Sequence, residues 1–193
     1  MLQRQAKTLS PAQVQTSLRF LETTRHPIRN RALFLCSVRA GLRAKEIASL
    51  RWTMVLNADG ELADVIRLTD EASKGRSGGV IPMARELRSA LAALKQEAGM
   101  IRPEDYVFRT QRSNRTSAQA IVNLFAHWYR ALGFEGCSSH SGRRTFITNA
   151  ARNIGRFGGS LRDVQALARH SSLSMTQRYI EIDSQAMRRV VDA

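Results

Sequence analysis

The residues of this chain that could do chemistry are a tyrosine, histidines and arginines. Tyr179 could act as a nucleophile, but a phenol is almost fully protonated at neutral pH and needs a proton acceptor or a strongly cationic setting. His140 suits the acceptor role. Arg43 and Arg143 carry guanidinium groups, which can stabilise the charge that builds up on the non-bridging oxygens of an attacked phosphodiester. These residue types predict cleavage of a phosphodiester by tyrosine attack.

The spacing of these residues is as informative as their types. Tyr179 follows His170 by nine residues, and Arg143 follows His140 by three. A third motif is the Gly-Leu-Arg sequence at positions 41–43, which precedes a predicted short helix. A helix start offers backbone N–H groups without intrahelical partners, so we expect them to add to an anion site there.

In order and spacing, these motifs resemble the catalytic domain of the tyrosine recombinase (phage integrase) family. The resemblance covers nearly the whole chain, from Ser10 to about residue 182. It implies that the tyrosine attacks the scissile phosphate, forms a 3′-phosphotyrosyl bond and releases a 5′-hydroxyl, and that a 5′-hydroxyl from a partner strand reverses the step. The covalent bond retains the energy of the original linkage, so the resemblance implies no cofactor and no divalent metal. The catalytic residues that it implies are Arg43, Lys74, His140, Arg143, His170 and Tyr179.

Lys74 lies in a glycine-rich turn, residues 73–79, between two predicted strands. A cradle for nucleotide phosphates is the competing interpretation, but no helix start with the Walker spacing follows the turn. In the family that the chain resembles, a lysine on this β-hairpin protonates the departing 5′ oxygen of DNA. The same resemblance implies that His170 donates a hydrogen bond to the phosphate.

Several polar residues lie near the motifs, and the sequence leaves alternative roles open for two of them. Glu46, three residues after Arg43, could orient that guanidinium or form a pair on the helix surface. Arg144 could contact the DNA backbone or form an internal salt bridge. Tyr106 and Tyr129 lack neighbours that would activate a phenol, and Tyr129 lies in an amphipathic run that indicates packing.

Two segments depart from the family pattern. Ala168-Arg169-His170 stands where the family commonly has Leu-Gly-His. The stretch at 153–159 is a few residues longer than the usual loop between its flanking helices, and its glycines suggest mobility. The arginine within it, Arg156, suggests another contact with the DNA backbone.

The composition predicts a polyanionic partner. The chain of 193 residues carries a formal net charge of +14 and has a sequence pI of about 11.3. Only four of its 30 basic residues are lysines, and arginine's planar fork suits phosphate oxygens. Solubility alone is the alternative explanation, but it does not account for so uneven a charge balance. We therefore predict binding to double-stranded DNA.

Cysteine usage and hydropathy predict the compartment. Cys36 and Cys137 belong to no CxxC or Cys/His ligand pattern, and Cys36 stands in an apolar run typical of a core. The N-terminus is polar and basic, and no apolar stretch is long enough to span a bilayer. These features predict a reduced, cytoplasmic protein without a membrane partner, and we expect it to be bacterial or encoded by a phage or plasmid, and nucleoid-associated.

Hydrophobic periodicity and capping residues predict a mostly helical α+β fold. Ser10-Pro11 is a strong helix start, and Gly41 is a plausible stop for a helix that begins after Pro27. We expect three antiparallel strands, at residues 51–55, 64–68 and 80–82. The further helices are predicted at residues 43–50, 84–97, 117–132, 141–152, 160–168, 174–180 and 184–191.

The expected organisation is one catalytic domain spanning residues 1–193, similar to the short, catalytic-domain-only members of the family; a truncated or excised chain would look identical. The sequence leaves no room for the N-terminal core-binding domain that most members use to close round DNA. The tail at 184–193 could pass to a neighbouring subunit or fold back on its own domain. Met187, Val190 and Val191 would form the apolar side of the tail.

The function that these observations predict is site-specific recombination of DNA. The resemblance implies a homo-tetramer on paired sites and leaves room for accessory DNA-bending proteins. A type IB topoisomerase-like activity is the alternative enzyme, since it uses a similar pocket to relax supercoils. A non-catalytic DNA-binding accessory factor is the alternative outside enzymes, although a binder has no need of a reactive tyrosine and lysine together.

Overall fold

A computed structural model describes residues 6–73, 78–110, 113–179, 188 and 191 of the chain. Contacts between residues divide it into two compact units, residues 1–146 and residues 147–193. The division falls within one helix, between Phe146 and Ile147. Within the described ranges, no helix is both long and apolar enough to cross a bilayer.

The first helix of the N-terminal unit begins, and the second ends, where the sequence predicts. Helix α1 spans Pro11–Glu22, and the Ser10 hydroxyl accepts a hydrogen bond from the Gln13 amide at 3.2 Å. The Gln13 side chain accepts in return from the Ser10 amide, which completes a capping box. Helix α2 spans Pro27–Ala40 and ends at Gly41, whose φ of 63° lies in the left-handed region that favours glycine.

Three further helices of this unit pack around α2 and its neighbours. They are α3 (Ala44–Ser49), α4 (Arg85–Ala98) and α5 (Ala118–Ala131). Helix α2 packs against α1 and α4, and α3 packs against α5. Phe34 of α2 and Phe125 of α5 are both fully buried, with their ring centroids 6.3 Å apart. The sequence prediction of a mostly helical fold is confirmed.

The sheet has two strands among the described residues, and the prediction of a third strand at 51–55 is wrong. Strand β1 (Val65–Leu68) pairs antiparallel with β2 (Gly79–Pro82), and the buried Ile66 faces Ile81 in the register. Arg51 forms only an isolated bridge, and Trp52–Met54 is a 3₁₀ turn. The fully buried Trp52 side chain is held there because the amides of 52 and 53 donate to carbonyls at 105 and 103.

The C-terminal unit contains the remainder of helix α6, which spans Ser141–Asn153, followed by a 3₁₀ turn at Ile154–Phe157. Helices α7 (Leu161–Ala168) and α8 (Leu173–Gln177) come next and pack against each other. The prediction of a tail helix at 184–191 falls outside the described residues, apart from positions 188 and 191.

Candidate active site

The first element of the site is the turn that joins α2 to α3. Gly41 adopts its left-handed conformation here, and the Leu42 amide donates to the Cys36 carbonyl at 3.0 Å. A Cβ added to Gly41 would lie 2.5 Å from Cδ1 of Phe146. Glycine is therefore required for both its conformation and its close approach to α6. The turn delivers Arg43 to the N-cap position of α3.

Arg43 is held by a fully buried carboxylate. The Arg43 Nη1 donates to Oε1 of Glu46 at 2.7 Å, and the Arg43 backbone amide donates to Oε2 at 2.7 Å. Glu46 has a relative exposure of 0%, whereas the Arg43 side chain keeps 22% of its surface in solvent. Of the two interpretations of Glu46, the structure supports the one in which it orients the guanidinium. The same carboxylate also occupies the backbone amide of Arg43 at the N-cap of α3.

Arg143 is buried on the first turn of α6 and contacts the same turn that carries Arg43. Its Nη1 donates to the Gly41 carbonyl at 2.6 Å, and its relative exposure is 4%. Helix α6 comes close to α2 here, since a Cβ added to Gly142 would lie 2.8 Å from Cβ of Ser37. Gly142 thus allows the close packing that carries Arg143 to the carbonyl. The structure brings the two predicted guanidinium groups to one turn.

His140 directly precedes α6 and is exposed. Its amide donates to the Ser138 hydroxyl at 3.3 Å, and its carbonyl accepts from the Arg144 amide at 2.9 Å. The backbone of His140 is therefore fixed by the start of the helix, while its imidazole reaches solvent.

Arg144 anchors the N-terminal segment. Its Nη1 donates to the Ala6 carbonyl at 3.2 Å, close to where the Leu9 amide donates to Oγ1 of Thr145 at 2.7 Å. This role as a donor to a backbone carbonyl comes in addition to the two interpretations of Arg144 from the sequence, a DNA contact and an internal salt bridge.

The predicted proton donor, Lys74, lies outside the described residues. The residue before it is described: Ser73 is buried, and its carbonyl accepts a hydrogen bond from the ammonium group of Lys45 at 3.3 Å. Lys45 is the second residue of α3, two positions after Arg43. Helix α3 therefore supports both Arg43 and the chain segment that leads to Lys74.

In the C-terminal unit, His170 and Tyr179 lie side by side. Their ring centroids are 5.4 Å apart, with an interplanar angle of 25°. The buried His170 has its Nδ1 2.9 Å from Oγ1 of Thr176, which is itself fully buried. The Tyr179 amide donates to the Thr176 carbonyl at 3.0 Å, and the Thr148 hydroxyl donates to the Tyr179 carbonyl at 3.4 Å. Thr176 thus links the backbone of the tyrosine to the ring of the histidine.

The bend before His170 is made by an arginine in a left-handed conformation. Arg169 ends α7 with φ 54° and ψ 47°, the one positive φ of a non-glycine residue in the described chain. The bend is closed by two bonds between His170 and Gln165, since the His170 amide donates to the Gln165 carbonyl and Gln165 Nε2 donates to the His170 carbonyl, each at 3.1 Å. The chain therefore keeps this bend without the glycine that is common there.

The two other tyrosines, Tyr106 and Tyr129, make packing and hydrogen-bond contacts that stabilise the fold. Arg51 stacks over the ring of Tyr106, with 4.2 Å from Cζ to the centroid, and its Nη2 donates to the Tyr106 hydroxyl at 3.0 Å. Tyr129 is buried, and its burial raises the pKa of its hydroxyl.

Burial likewise raises the pKa of the Cys36 thiol, as expected for a core cysteine. Across the described ranges, no three His, Cys, Asp or Glu side chains are grouped so that they could hold a metal ion.

Comparison with known proteins gives one family and a consistent set of relatives. The model of the phage integrase family matches residues 7–186. Tyrosine recombinase XerC of Histophilus somni is 29% identical over 190 residues, which are 96% of this chain and 60% of the relative. Tyrosine recombinase XerD of Pseudomonas putida is 31% identical over 159 residues, which are 80% of this chain and 50% of the relative. The chain thus spans between half and two thirds of the length of these relatives.

Solved structures show the same fold. The XerA recombinase superposes with a TM-score of 0.73 at 22% identity, over 95% of this chain and 63% of that one. The integrase of transposon Tn1549, in a complex with transposon right-end DNA, superposes with a TM-score of 0.76 at 16% identity, over 99% of this chain and 66% of that one. The family match covers far more than half of the sequence and includes the turn at Arg43, the start of α6 and the His170–Tyr179 pair. This chain therefore belongs to the tyrosine recombinase (phage integrase) family.

Proposed function

We propose that this chain acts in site-specific recombination, as a catalytic domain that cleaves and rejoins double-stranded DNA through a 3′-phosphotyrosyl intermediate. The relatives named above are recombinases and an integrase, and one of them is bound to DNA. The charge of +14 suits the same partner.

In the proposed reaction, the Tyr179 oxygen attacks the scissile phosphorus while its proton passes to His140. The bond from phosphorus to the 5′ oxygen breaks, and Lys74 gives that oxygen a proton. Arg43, Arg143 and His170 stabilise the charge on the non-bridging oxygens. In rejoining, a 5′-hydroxyl attacks the phosphotyrosine and each proton returns along the opposite route.

The observation that carries the proposal is the pair of arginines at one turn. Arg43 is oriented by the buried carboxylate of Glu46, and Arg143 by the carbonyl of Gly41. Preorganised donors lower the energy of a charged transition state because they need no reorganisation when the charge develops. Surface arginines that only bind a duplex do not need buried acceptors, so this arrangement favours a catalyst over an accessory binding factor.

The test is capture of the covalent intermediate on a nicked suicide substrate, which loses the strand needed for rejoining. The wild-type chain should form a protein–DNA adduct that survives denaturation, in the presence or absence of a chelator. Tyr179→Phe should form none while binding DNA within about twofold of wild type, because only a hydroxyl is lost. The matched control is Tyr106→Phe, which should form the adduct normally. An adduct of undiminished yield with Tyr179→Phe would refute the proposal.

The product of the complete reaction separates recombination from DNA relaxation. A plasmid with two target sites should yield recombinant circles, and the topoisomerase alternative predicts relaxed plasmid alone. We also propose assembly as a tetramer on paired sites, with residues 184–193 passed to a neighbouring subunit. Deletion from residue 184 onward should then leave binding of a single site intact and reduce synapsis of two sites; normal synapsis would show that the tail folds back instead.

A further inference from the structure

The connection between α6 and α7 displays an aromatic side chain. We call residues 152–162, which include the last two residues of α6 and the first two of α7, the Arg–Phe loop. Phe157 within it has a relative exposure of 83%, whereas the other six phenylalanines of the chain are buried or half-buried. Leaving a phenylalanine in water gives up the favourable free energy of burying its ring. The side chains of Arg156 and Arg162 are exposed on either side of it in the sequence.

The conformation of the loop is fixed by backbone hydrogen bonds and by a close side-chain contact. The Gly158 amide donates to the Gly155 carbonyl at 3.1 Å, and the Gly159 amide donates to the Ile154 carbonyl at 3.0 Å. Ile154 packs so closely on Gly159 that an added Cβ there would lie 2.7 Å from its Cγ1. Gly158 supplies the left-handed residue, with φ 72°. The exposed position of the Phe157 side chain therefore results from a hydrogen-bonded turn.

The far end of the loop is fixed by the start of α7. The Asp163 carboxylate accepts from the Ser160 amide at 2.7 Å and from the Ser160 hydroxyl at 2.9 Å. These bonds hold the pKa of the Asp163 carboxyl below its usual value. The nearest acidic residue after the loop is thus engaged in capping, and the loop itself contains arginines and no acidic residue.

We propose that the Arg–Phe loop binds unstacked nucleotides of DNA, with Phe157 stacking on a base and Arg156 and Arg162 binding the adjacent phosphates. Aromatic side chains that stack on bases within a basic surface are the usual means of binding single-stranded segments. A second copy of the chain fits the loop less well, because it too carries a charge of +14. The inference rests on the proposed function for its DNA substrate, whose bases must unstack when strands are exchanged.

The experiment compares two duplexes of one sequence, one fully paired and one with a short gap that exposes 2-aminopurine. The full chain should bind the gapped duplex more tightly and quench the probe. Phe157→Ala should lower affinity for the gapped duplex about tenfold, since stacking contributes about 1–3 kcal/mol per base, and should change affinity for the paired duplex less than twofold. Phe157→Trp should restore the quenching. Met100→Ala removes another highly exposed apolar side chain and should change neither affinity.

The arginines have a separate signature. Arg156→Gln and Arg162→Gln should each reduce the slope of log affinity against log salt on the gapped duplex by about 0.7–0.9. The inference is overturned if Phe157→Ala weakens both duplexes equally or neither, or if it changes only self-association in sedimentation. A wild-type chain that binds both duplexes, together with a Phe157→Ala variant that keeps the wild-type preference for the gapped duplex, would refute this inference alone. A wild-type chain that binds neither duplex would refute the proposed function as well.

Discussion

Single residues of the candidate site differ in how firmly the fold holds them. The guanidinium groups of Arg43 and Arg143 have buried acceptors, whereas the imidazole of His140 reaches solvent. This division matches the proposed roles. A group that stabilises charge benefits from a fixed position, and a group that exchanges protons benefits from access to water.

The orienting role of Glu46 can be tested with an isosteric change. Glu46→Gln keeps the shape but removes the charge that holds Arg43, so we expect the cleavage rate to fall about tenfold or more. The free energy of unfolding should decrease by about 1–3 kcal/mol, the range for a lost charged hydrogen bond. Glu61→Gln, an exposed change of the same type, is the control. Single-turnover cleavage and urea unfolding measure the two effects, and a variant with wild-type cleavage would contradict the orienting role.

Lys74 is the predicted proton donor, and its role has a chemical test. Lys74→Ala should cleave ordinary DNA slowly and recover on DNA with a 5′-bridging sulfur, because a thiolate leaves without protonation. Arg43→Ala and Arg143→Ala should not recover, since the phosphate charge still needs stabilisation. Lys95→Ala is the control. It removes a lysine whose ammonium group donates to a backbone carbonyl, that of Gly60. Equal rescue of all three site variants would show that the roles are assigned wrongly.

The sequence could predict the types of the candidate residues but not their supports. The spacing of His140, Arg143, His170 and Tyr179 is local and can be read directly. Thr176 was missed because its contact with His170 depends on the left-handed bend at residue 169 and on how α7 packs against α8. No periodic pattern in the sequence marks such a contact.

At the scale of elements, two bends position the candidate residues, and glycine occupies only one of them. The turn after α2 uses Gly41, while the bend after α7 uses Arg169. A left-handed conformation costs a side-chain-bearing residue about 1–2 kcal/mol relative to glycine. Replacing Gly41 by alanine should therefore add strain to the first bend, whereas replacing Arg169 by glycine should remove strain from the second.

Gly41→Ala should destabilise the chain in two ways. The left-handed conformation would cost about 1–2 kcal/mol, and the clash with Phe146 about 1–3 kcal/mol more. Gly133→Ala is a matched control, because Gly133 has a φ of +68° after α5 but has nothing within 4 Å of an added Cβ. Urea unfolding should show the larger loss for Gly41→Ala. Equal losses would mean that the approach of α6 to this turn is not a constraint.

For the bend after α7, Arg169→Gly and Arg169→Ala remove the same side chain and differ only in backbone freedom. We expect the glycine variant to be more stable than the alanine variant by about 1 kcal/mol, because glycine adopts the observed φ of 54° without strain. The comparison requires only the unfolding free energies of the two variants. An alanine variant as stable as the glycine variant would show that the bend relaxes in solution.

The helix start at Ser10-Pro11 and the helix stop at Gly41 could be predicted from the sequence, whereas the first strand was predicted wrongly. Ser10-Pro11 and Gly41 mark a start and a stop through local bonds, so the sequence contains the necessary information. Residues 51–55 have the apolar alternation of a strand, yet Trp52 and Thr53 donate to carbonyls about fifty positions away. Such long-range partners decide between strand and 3₁₀ turn, and they cannot be read from local pattern.

At the scale of the whole molecule, charge is the dominant feature. Arginine provides most of the 30 basic residues, against 16 acidic residues. Several of these arginines make contacts within the protein. Arg144 anchors Ala6, Arg51 stacks on Tyr106, and Arg39 pairs with Glu86 at 2.9 Å. The net charge therefore overstates the number of arginines that can reach phosphates.

The salt dependence of DNA binding measures how many arginines do so. Each phosphate neutralised on a duplex contributes about −0.9 to the slope of log affinity against log salt. For about 6–10 phosphate contacts, affinity should fall by a factor of about 10³–10⁵ between about 50 and 200 mM salt. Phosphate contacts carry little base information, so we expect a monomer to bind a target duplex and a scrambled duplex with similar affinity and slope. Discrimination would then arise when several copies assemble on paired half-sites. A shallow slope with strong discrimination by the monomer would show instead that this chain reads base edges directly.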